Sequence, residues 1–218
     1  PKDKGRYIRV TISKIRGTHL SFKIDYSREL KAYFSDNRFY VKYDREVGDV
    51  DESILYIPAV SALITLAWAT GANIYVKRLD ETFLRCLNEV KIVMRKWYPK
   101  LPFSTKVYVE EATLNTSSGT RYGLLFSGGI DSTTSYIRHR DKKPNLIMVY
   151  GADIPLSEKE FWGKVKMHYK KFAEEDGVDI NFVETNMRQF LNEKLLDAEF
   201  GRYGSDLSWW GSFYHGIA

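Results

Sequence analysis

The segment from Leu124 to Ser132 carries the residues best suited to chemistry in this sequence. It reads Leu-Leu-Phe-Ser-Gly-Gly-Ile-Asp-Ser, an apolar run followed by a glycine pair and small polar residues. Gly128 and Gly129 allow a tight turn that presents consecutive backbone N–H groups, and the helix predicted to follow directs its positive end to the same place. Ser127 and Ser132 add hydroxyl donors. The segment therefore predicts a site for a phosphate-rich anion.

Asp131, inside the same segment, has two roles that the sequence leaves open: it binds Mg²⁺ or it holds the loop in place. The pattern is not a Walker A loop, which needs a lysine after its second glycine, and it lacks the three spaced glycines of a dinucleotide fingerprint. The fixed letters Ser-Gly-Gly-x-Asp-Ser arise by chance in a chain of this size with a probability on the order of a few in ten thousand. The alternative reading is a glycine turn without a ligand.

The segment Phe126 to Ser132 resembles the PP-loop of the N-type ATP pyrophosphatases, also called the adenine nucleotide α-hydrolase superfamily. The resemblance implies a Rossmann-like domain of the HUP type that binds ATP and Mg²⁺. It further implies that AMP is attached to a carbonyl, carboxylate or amide oxygen of the substrate, that pyrophosphate leaves, and that a nitrogen or sulfur nucleophile then displaces AMP. The resemblance covers residues 123–218 and does not select the substrate.

The same resemblance assigns roles to single residues of this chain. It implies that Asp131 binds the metal and that Asp131 and Ser132 are the catalytic residues. It places the adenine ring against the end of the second strand of the domain. The residues that it implies for binding ATP are Ser127, Gly128, Gly129, Asp131, Ser132, Tyr150, Gly151 and Asp153. For Asp153, the sequence also allows a loop-capping role beside Pro155.

Within that superfamily the loop is most similar to the 7-cyano-7-deazaguanine synthase branch, which serves queuosine biosynthesis. Those enzymes convert a carboxylate to a nitrile through adenylation and ammonia, and they carry a four-cysteine zinc site near the carboxyl terminus. This chain has one cysteine, Cys86, and a long basic region before the loop. We therefore expect a synthase-like relative with a different or modified substrate. Enzymes that thiolate tRNA usually depend on cysteines, and Cys86 is predicted to pack in a core.

The net charge of +5, from 33 Lys and Arg against 28 Asp and Glu, is unevenly distributed. Residues 1–50 carry 12 basic and 7 acidic side chains, whereas residues 151–218 carry 8 and 12. A basic amino-terminal half is compatible with RNA binding, because phosphate neutralisation depends on charge and not on sequence. The alternative is an ordinary solvated face, since no block of five or six like charges occurs.

The amino-terminal half is predicted to be a β-rich α+β region. Period-two alternation over residues 6–45 predicts a β-meander of about four strands. A helix over 51–70 ends at Gly71, and Asp80 is predicted to cap a second helix that stops before Pro99. Strands are predicted over 73–79 and 105–110. The polar stretch at 115–119 is predicted to separate a region 1–118 from an ATP-binding domain 119–218.

After residue 119 strands and helices alternate. Strands are predicted over 123–126, 146–150 and 180–183, and helices over 131–138, 157–175, 187–196 and 206–218. Apolar strands joined by helices predict a parallel sheet with right-handed crossovers. About 90 residues follow the loop, which are too few for a five-stranded sheet. We therefore expect an α/β, Rossmann-like domain that is incomplete at its carboxyl end.

The leading hypothesis is an ATP-dependent enzyme that adenylates a small-molecule or modified-base substrate. The alternatives are a tRNA-modifying enzyme whose basic half binds tRNA, and a non-catalytic nucleotide-binding module. The single cysteine excludes a disulfide framework and favours a reducing, cytoplasmic setting. The longest apolar run, Ile54 to Ala69, is shorter than the ~20 residues that span a bilayer and is predicted to be a buried helix. No membrane contact is predicted, and a homodimer is compatible with the sequence.

Overall fold

The computed structural model describes residues 5–116, 119–200 and 214–218. The first of these ranges contains five strands and three α-helices, with a 3₁₀ helix at Arg28–Tyr33 between the second and third strands. The elements are β1 (Tyr7–Arg16), β2 (His19–Tyr26), β3 (Arg38–Lys42), α1 (Glu52–Leu55), α2 (Ile57–Thr70), β4 (Asn73–Asp80), α3 (Glu81–Trp97) and β5 (Val107–Thr113).

The rest of the described chain alternates between strands and helices, as predicted. A short 3₁₀ helix at Arg140–Lys142 follows the first helix of this half. The elements are β6 (Gly123–Leu125), α4 (Ile130–Arg138), β7 (Asn145–Tyr150), α5 (Lys159–Asp176), β8 (Ile180–Thr185), α6 (Met187–Phe190), α7 (Glu193–Phe200) and α8 (Tyr214–Ile217).

All eight strands belong to one mixed sheet with the order β5-β4-β1-β2-β3-β8-β7-β6. The strands β6, β7 and β8 are mutually parallel, and β1, β4 and β5 form a second parallel group. The two halves of the chain join where β3 pairs antiparallel with β8, with Val41 opposite Thr185 and Lys42 opposite Glu184. The fold is therefore α/β, a sheet flanked by helices and compatible with a Rossmann-like arrangement.

Two apolar clusters hold the helices on the sheet. The larger one packs α2 and one side of α3 against the inward residues of β1 to β4, and it extends to Val183 on β8. The smaller one packs α4 and α5 against the other face of the sheet over β6 to β8, through Tyr136, Trp162 and Phe182. The helices α4 and α5 thus lie on the face opposite to α2 and α3, because alternate residues of each strand point to opposite sides. In contrast, α6, α7 and α8 contribute Phe190, Leu196 and Ile217 to the larger cluster.

The segment Glu52–Thr70 is long and apolar enough to cross a membrane by composition, with a mean hydropathy of 1.6. However, 89% of the 18-residue window that gives this value is buried inside the protein. Pro58 lies in the first turn of α2, where its missing N–H leaves no helical bond unmade. Gly71 ends α2 in the left-handed conformation, at φ 71°, as predicted. The segment is a core helix, as the sequence analysis expects.

The structure corrects three of the predictions. The region 6–45 has three strands and not four, because Arg28–Tyr33 forms a 3₁₀ helix that buries Leu30. Cys86 is exposed on α3 and does not pack in the core. The helix predicted over 187–196 is two helices, α6 and α7. Of the helix predicted over 206–218, only α8 lies within the described residues.

Candidate functional site

The glycine loop follows β6 and therefore lies at the carboxyl edge of the sheet. Phe126 follows the last residue of β6 and is buried, and its backbone N–H donates to the carbonyl of Ile147 on β7 at 2.8 Å. Its ring packs parallel to Phe172 of α5, with ring centroids 5.9 Å apart. Both contacts fix Phe126 at the end of β6, directly before the glycine turn.

Gly128 makes the turn that the sequence predicts. Its φ of 78° lies in the left-handed region, which disfavours residues with a Cβ atom. A Cβ atom added at Gly128 would overlap the hydroxyl group of Tyr169 on α5. Two independent constraints therefore favour glycine at position 128: the left-handed backbone conformation and the close approach of α5.

The hydroxyl groups of the loop converge on its glycines. The Ser127 and Ser132 Oγ atoms are 3.3 Å apart. The Gly129 N–H donates to Ser127 Oγ at 3.3 Å, and Ser132 Oγ donates to the Gly129 carbonyl at 3.1 Å. Ser127 is exposed and Ser132 is half-buried. Both hydroxyls can therefore rotate toward an anion that enters from solvent.

The amino-terminus of α4 faces the same loop. Gly129 is its N-cap, and within the described residues no side chain accepts from the first-turn amides. The amides of a helical first turn have no partner within the helix, and they carry the positive end of the helix dipole. Asp131 lies in that first turn and is exposed. The structure thus combines uncapped amides, two hydroxyls and one carboxylate in a single exposed loop, which suits a phosphate group with its metal ion.

A cavity of about 170 Å³ opens beside this loop, at the carboxyl ends of β6 and β7. Open α/β sheets bind their ligands at this edge. The cavity is predominantly apolar, and Ser127 and Asp153 supply side-chain oxygen atoms at its wall. Its lining is Leu125, Phe126, Ser127, Ile147, Met148, Val149, Ala152, Asp153, Ile154 and Trp162.

The three residues predicted at the end of the second strand take different positions. Asp153 is exposed and lines the cavity. Tyr150 is buried away from the cavity wall, where its hydroxyl donates to the Leu156 carbonyl at 2.8 Å and its ring stacks on Trp162 at 4.7 Å. Burial, with nearby carboxylates, raises the pKa of Tyr150 above its ordinary value. Tyr150 therefore positions Trp162, which itself lines the cavity.

Gly151 turns the chain out of β7. Its φ is 90°, and a Cβ atom there would overlap the carbonyl oxygen of Thr185 on the neighbouring strand β8. The Gly151 N–H donates to the Ile154 carbonyl at 3.0 Å, which closes a tight turn around Asp153. The Arg188 guanidinium donates to the Ala152 carbonyl at 3.1 Å and fixes the turn from its other side. This turn holds Asp153 at the cavity rim.

Asp131 is the candidate metal ligand from the loop. Within residues 5–116, 119–200 and 214–218, no three His, Cys, Asp or Glu side chains form a group that could hold a metal ion. A single carboxylate suits Mg²⁺ that arrives with a nucleotide, since such Mg²⁺ takes most of its ligands from phosphates and water. The single carboxylate of the loop is therefore compatible with Mg²⁺ that arrives with a phosphate ligand.

Tyr169 and Trp162 are the site residues that the sequence analysis did not identify. Both lie on α5, and with Val165 and Phe172 they form the apolar stripe of that helix. Their helical spacing predicts burial, which is correct, but it does not reveal that one ring contacts the loop and the other lines the cavity. The glycines of the sequence also indicate the site, because Gly128 and Gly151 lie where a neighbouring chain segment leaves no room for a Cβ atom.

A comparison of the chain with known protein families, characterised proteins and solved structures finds no match. The protein therefore belongs to the α/β class by its fold, an eight-stranded mixed sheet flanked by helices. The resemblance to the PP-loop accordingly depends on the motif and on the way in which β6 and α4 present it.

Proposed function

We propose that this protein is an ATP-dependent enzyme of the PP-loop type. In this proposal it adenylates a carbonyl or carboxylate group of a small molecule and releases AMP and pyrophosphate. The observation that supports it most strongly is the uncapped amino-terminus of α4, which follows a left-handed glycine at the carboxyl end of a parallel strand. The order β8-β7-β6, with both intervening helices on one face, is compatible with this type of nucleotide domain.

The residues of the loop have separable roles in this proposal. The amides that follow Gly128, with the Ser127 and Ser132 hydroxyls, hold the pyrophosphate portion of the nucleotide. Asp131 holds Mg²⁺, which when bound offsets the phosphate charge. Asp131 and Ser132 are the candidate catalytic residues, because they lie beside the phosphates that would react. Catalysis of this kind depends on positioning and on charge stabilisation rather than on a protein nucleophile.

The cavity beside the loop is proposed to receive the flat part of a ligand. Trp162 and Met148 supply apolar surface, and Asp153 supplies a carboxylate that can accept from an amino or hydroxyl group. Such a lining suits the adenine of ATP or a purine-like acceptor. A 7-deazaguanine-type carboxylate, as in the 7-cyano-7-deazaguanine synthase branch, is the first acceptor to test. The cytoplasmic setting expected from the sequence belongs to the same proposal.

The test is isotope exchange between pyrophosphate and ATP, which reports reversible adenylation directly. With Mg²⁺ and a panel of carboxylate acceptors, we expect exchange that depends on one acceptor and is lost in Asp131→Ala. The matched control is Asp141→Ala, which removes an exposed carboxylate beyond the far end of α4. ATP binding without exchange or pyrophosphate release, for every acceptor, would favour the non-catalytic nucleotide-binding module instead.

A further inference from the structure

Among the described residues, helices cover one face of the sheet over only part of its width. Over β6 to β8 it carries α4 and α5, which pack on Phe182 and its neighbours. Glu184 points to the same side as Phe182 because it lies two residues further along β8, and it is paired in register with Lys42 of β3. The face that carries α4 and α5 therefore extends beyond them over β3, β2, β1, β4 and β5. The helices α2 and α3 pack on the opposite face of these five strands.

We call this continuation the open face and define it by the outward residues of β1 to β5. Its side chains are accessible to solvent: Tyr108 is 44% exposed, and the side chains of Arg9 and Lys77 are 50% and 63% exposed. A groove of about 390 Å³ runs along part of it. The outward side chains of this face include Arg9, Lys23, Tyr40, Tyr75, Lys77 and Tyr108.

Two parallel ring pairs lie on the open face. Tyr75 of β4 stacks on Tyr108 of β5, with ring centroids 4.8 Å apart and planes inclined by 12°. His19 of β2 stacks on Tyr40 of β3, at 5.4 Å and 19°. From the strand spacing of about 4.8 Å and the rise of about 3.4 Å per residue, the pairs are roughly 20 Å apart across the sheet.

Cationic side chains lie between and beside the ring pairs. Arg9 sits next to Tyr75, with its guanidinium carbon 5.9 Å from the ring centroid, and Lys23 lies two residues from Asp25, the cross-strand partner of Arg9. Within the described part of the chain, no carboxylate lies within ion-pair distance of Lys23. The cations on this face are Arg9, Lys14, Arg16, Lys23, Arg38, Lys42 and Lys77.

Acidic side chains are fewer: Asp25 and Glu110 lie on this face and Glu184 of β8 borders it, and two of these three have local partners. Asp25 forms an ion pair with Arg9 at 3.7 Å, and Glu184 accepts from the Tyr40 hydroxyl at 3.0 Å. Glu110 lies on the outermost strand, β5. The charge balance of the face is therefore positive, in agreement with the basic composition of residues 1–50.

We propose that the open face binds single-stranded nucleic acid, with bases stacked on the two ring pairs and phosphates held by the cations between them. Sheets that present aromatic rings between basic side chains recognise single strands in this way, because every base has a π-face. An acidic protein surface would form ion pairs with the cations, but its carboxylates would not stack on the parallel rings. The inference is independent of ATP chemistry at the glycine loop.

The test is fluorescence anisotropy with a labelled single-stranded RNA of about 16 nucleotides, the upper site size of a single-strand-binding module. We expect binding at low salt, and about a tenfold or greater loss of affinity in the double variant Tyr75→Ala/Tyr108→Ala. The variant Tyr75→Phe/Tyr108→Phe keeps both rings and should keep the affinity. The Phe variant separates stacking from any effect on folding, and circular dichroism confirms that both variants are folded.

The phosphate contacts are tested by the salt dependence. Between about 50 and 200 mM salt, Lys23→Gln should lower the slope of log K against log salt by about 0.7, the value for one contact to a single strand. The matched control is Lys142→Gln, which removes an exposed lysine near Tyr122 on the opposite edge of the sheet. Asp131→Ala should leave the affinity for RNA unchanged, so that failure of the ATP site and failure of the open face are distinguishable.

Several outcomes would overturn the proposal. One is the absence of RNA binding at about 50 mM salt. Another is equal affinity of the wild-type protein and the Tyr→Ala double variant, since stacking would then contribute nothing. A third is equally tight binding of polyglutamate, which would leave only a non-selective polyanion surface. The last is a dimer, measured by light scattering, that Tyr108→Ala dissociates, because the face would then be an interface between copies of the chain.

Discussion

The hydroxyl group of Tyr169 occupies the space that a Cβ atom at Gly128 would need. This contact ties α5, which packs on the sheet over β6 to β8, to the turn that presents the candidate anion site. The same contact restricts the loop beside the amino-terminus of α4, which has no side-chain cap from its N-cap residue. The glycine loop is therefore shaped by tertiary packing as well as by its own sequence.

Gly128→Ala is expected to lower the free energy of unfolding by about 2–5 kcal/mol. The left-handed backbone accounts for about 1–2 kcal/mol and the overlap with Tyr169 for about 1–3 kcal/mol. Urea denaturation of the single variants and of the double variant Gly128→Ala/Tyr169→Leu measures their coupling. We expect Tyr169→Leu to destabilise the alanine variant less than it destabilises the wild type. Strictly additive losses would show that the two residues do not compete for space.

Gly151→Ala should be more damaging than an ordinary glycine substitution. The new Cβ atom would meet the backbone oxygen of Thr185, which cannot move without disturbing the pairing of β7 with β8. We expect a loss of about 2–4 kcal/mol in unfolding free energy. The matched control is Gly163→Ala in the interior of α5, where the added Cβ atom meets nothing within 4 Å and should stabilise by up to about 1 kcal/mol. Equal effects of the two substitutions would contradict the assigned geometry.

Asp80 is expected to contribute a pH-dependent part of the stability. Burial raises the pKa of its carboxyl group, but hydrogen bonds from the Asn115 side chain at 2.9 Å and the Phe83 amide at 2.7 Å outweigh burial, so the pKa lies below its ordinary value of 3.8. The stabilisation is therefore fully present above that ordinary value and is lost as the pH falls through the folded-state pKa.

The corresponding measurement is the free energy of unfolding of the wild type, Asp80→Asn and Asp80→Ala at several pH values. At about pH 7, Asp80→Ala should lose about 0.5–2 kcal/mol, because the cap of α3 is removed. Asn keeps an acceptor for the Phe83 amide and should lose less. The difference between wild type and Asp80→Asn should shrink as the pH falls below 3.8. A difference that does not change with pH would contradict the lowered pKa.

Local signals in the sequence predicted much of this structure. The alternation of apolar and polar residues located β1 and β2, and Asp80 and Gly71 marked helix ends through capping chemistry that acts over a few residues. The link of β6, a glycine turn and α4 was also predicted, because strand, glycines and helix are contiguous. These features are decided by near neighbours along the chain.

Long-range relationships were not predictable in the same way. The pairing of β3 with β8 joins Val41 to Thr185 across the whole chain, and no local pattern specifies it. Arg28–Tyr33 became a 3₁₀ helix because packing of Leu30 overrode a strand-like pattern. The position of the open face depends on which side of β1 to β5 is packed by α2 and α3, and tertiary packing decides that side.

We propose that the loop from Ser127 to Ser132 binds Mg²⁺ and ATP. Isothermal titration calorimetry with Mg·ATP measures this directly, on the wild type and on Ser127→Ala, Asp131→Ala and the control Asp141→Ala. We expect heat of binding and a raised melting temperature for the wild type and Asp141→Ala, and the loss of both in the two loop variants. No heat and no melting shift with the wild-type protein would contradict the claim.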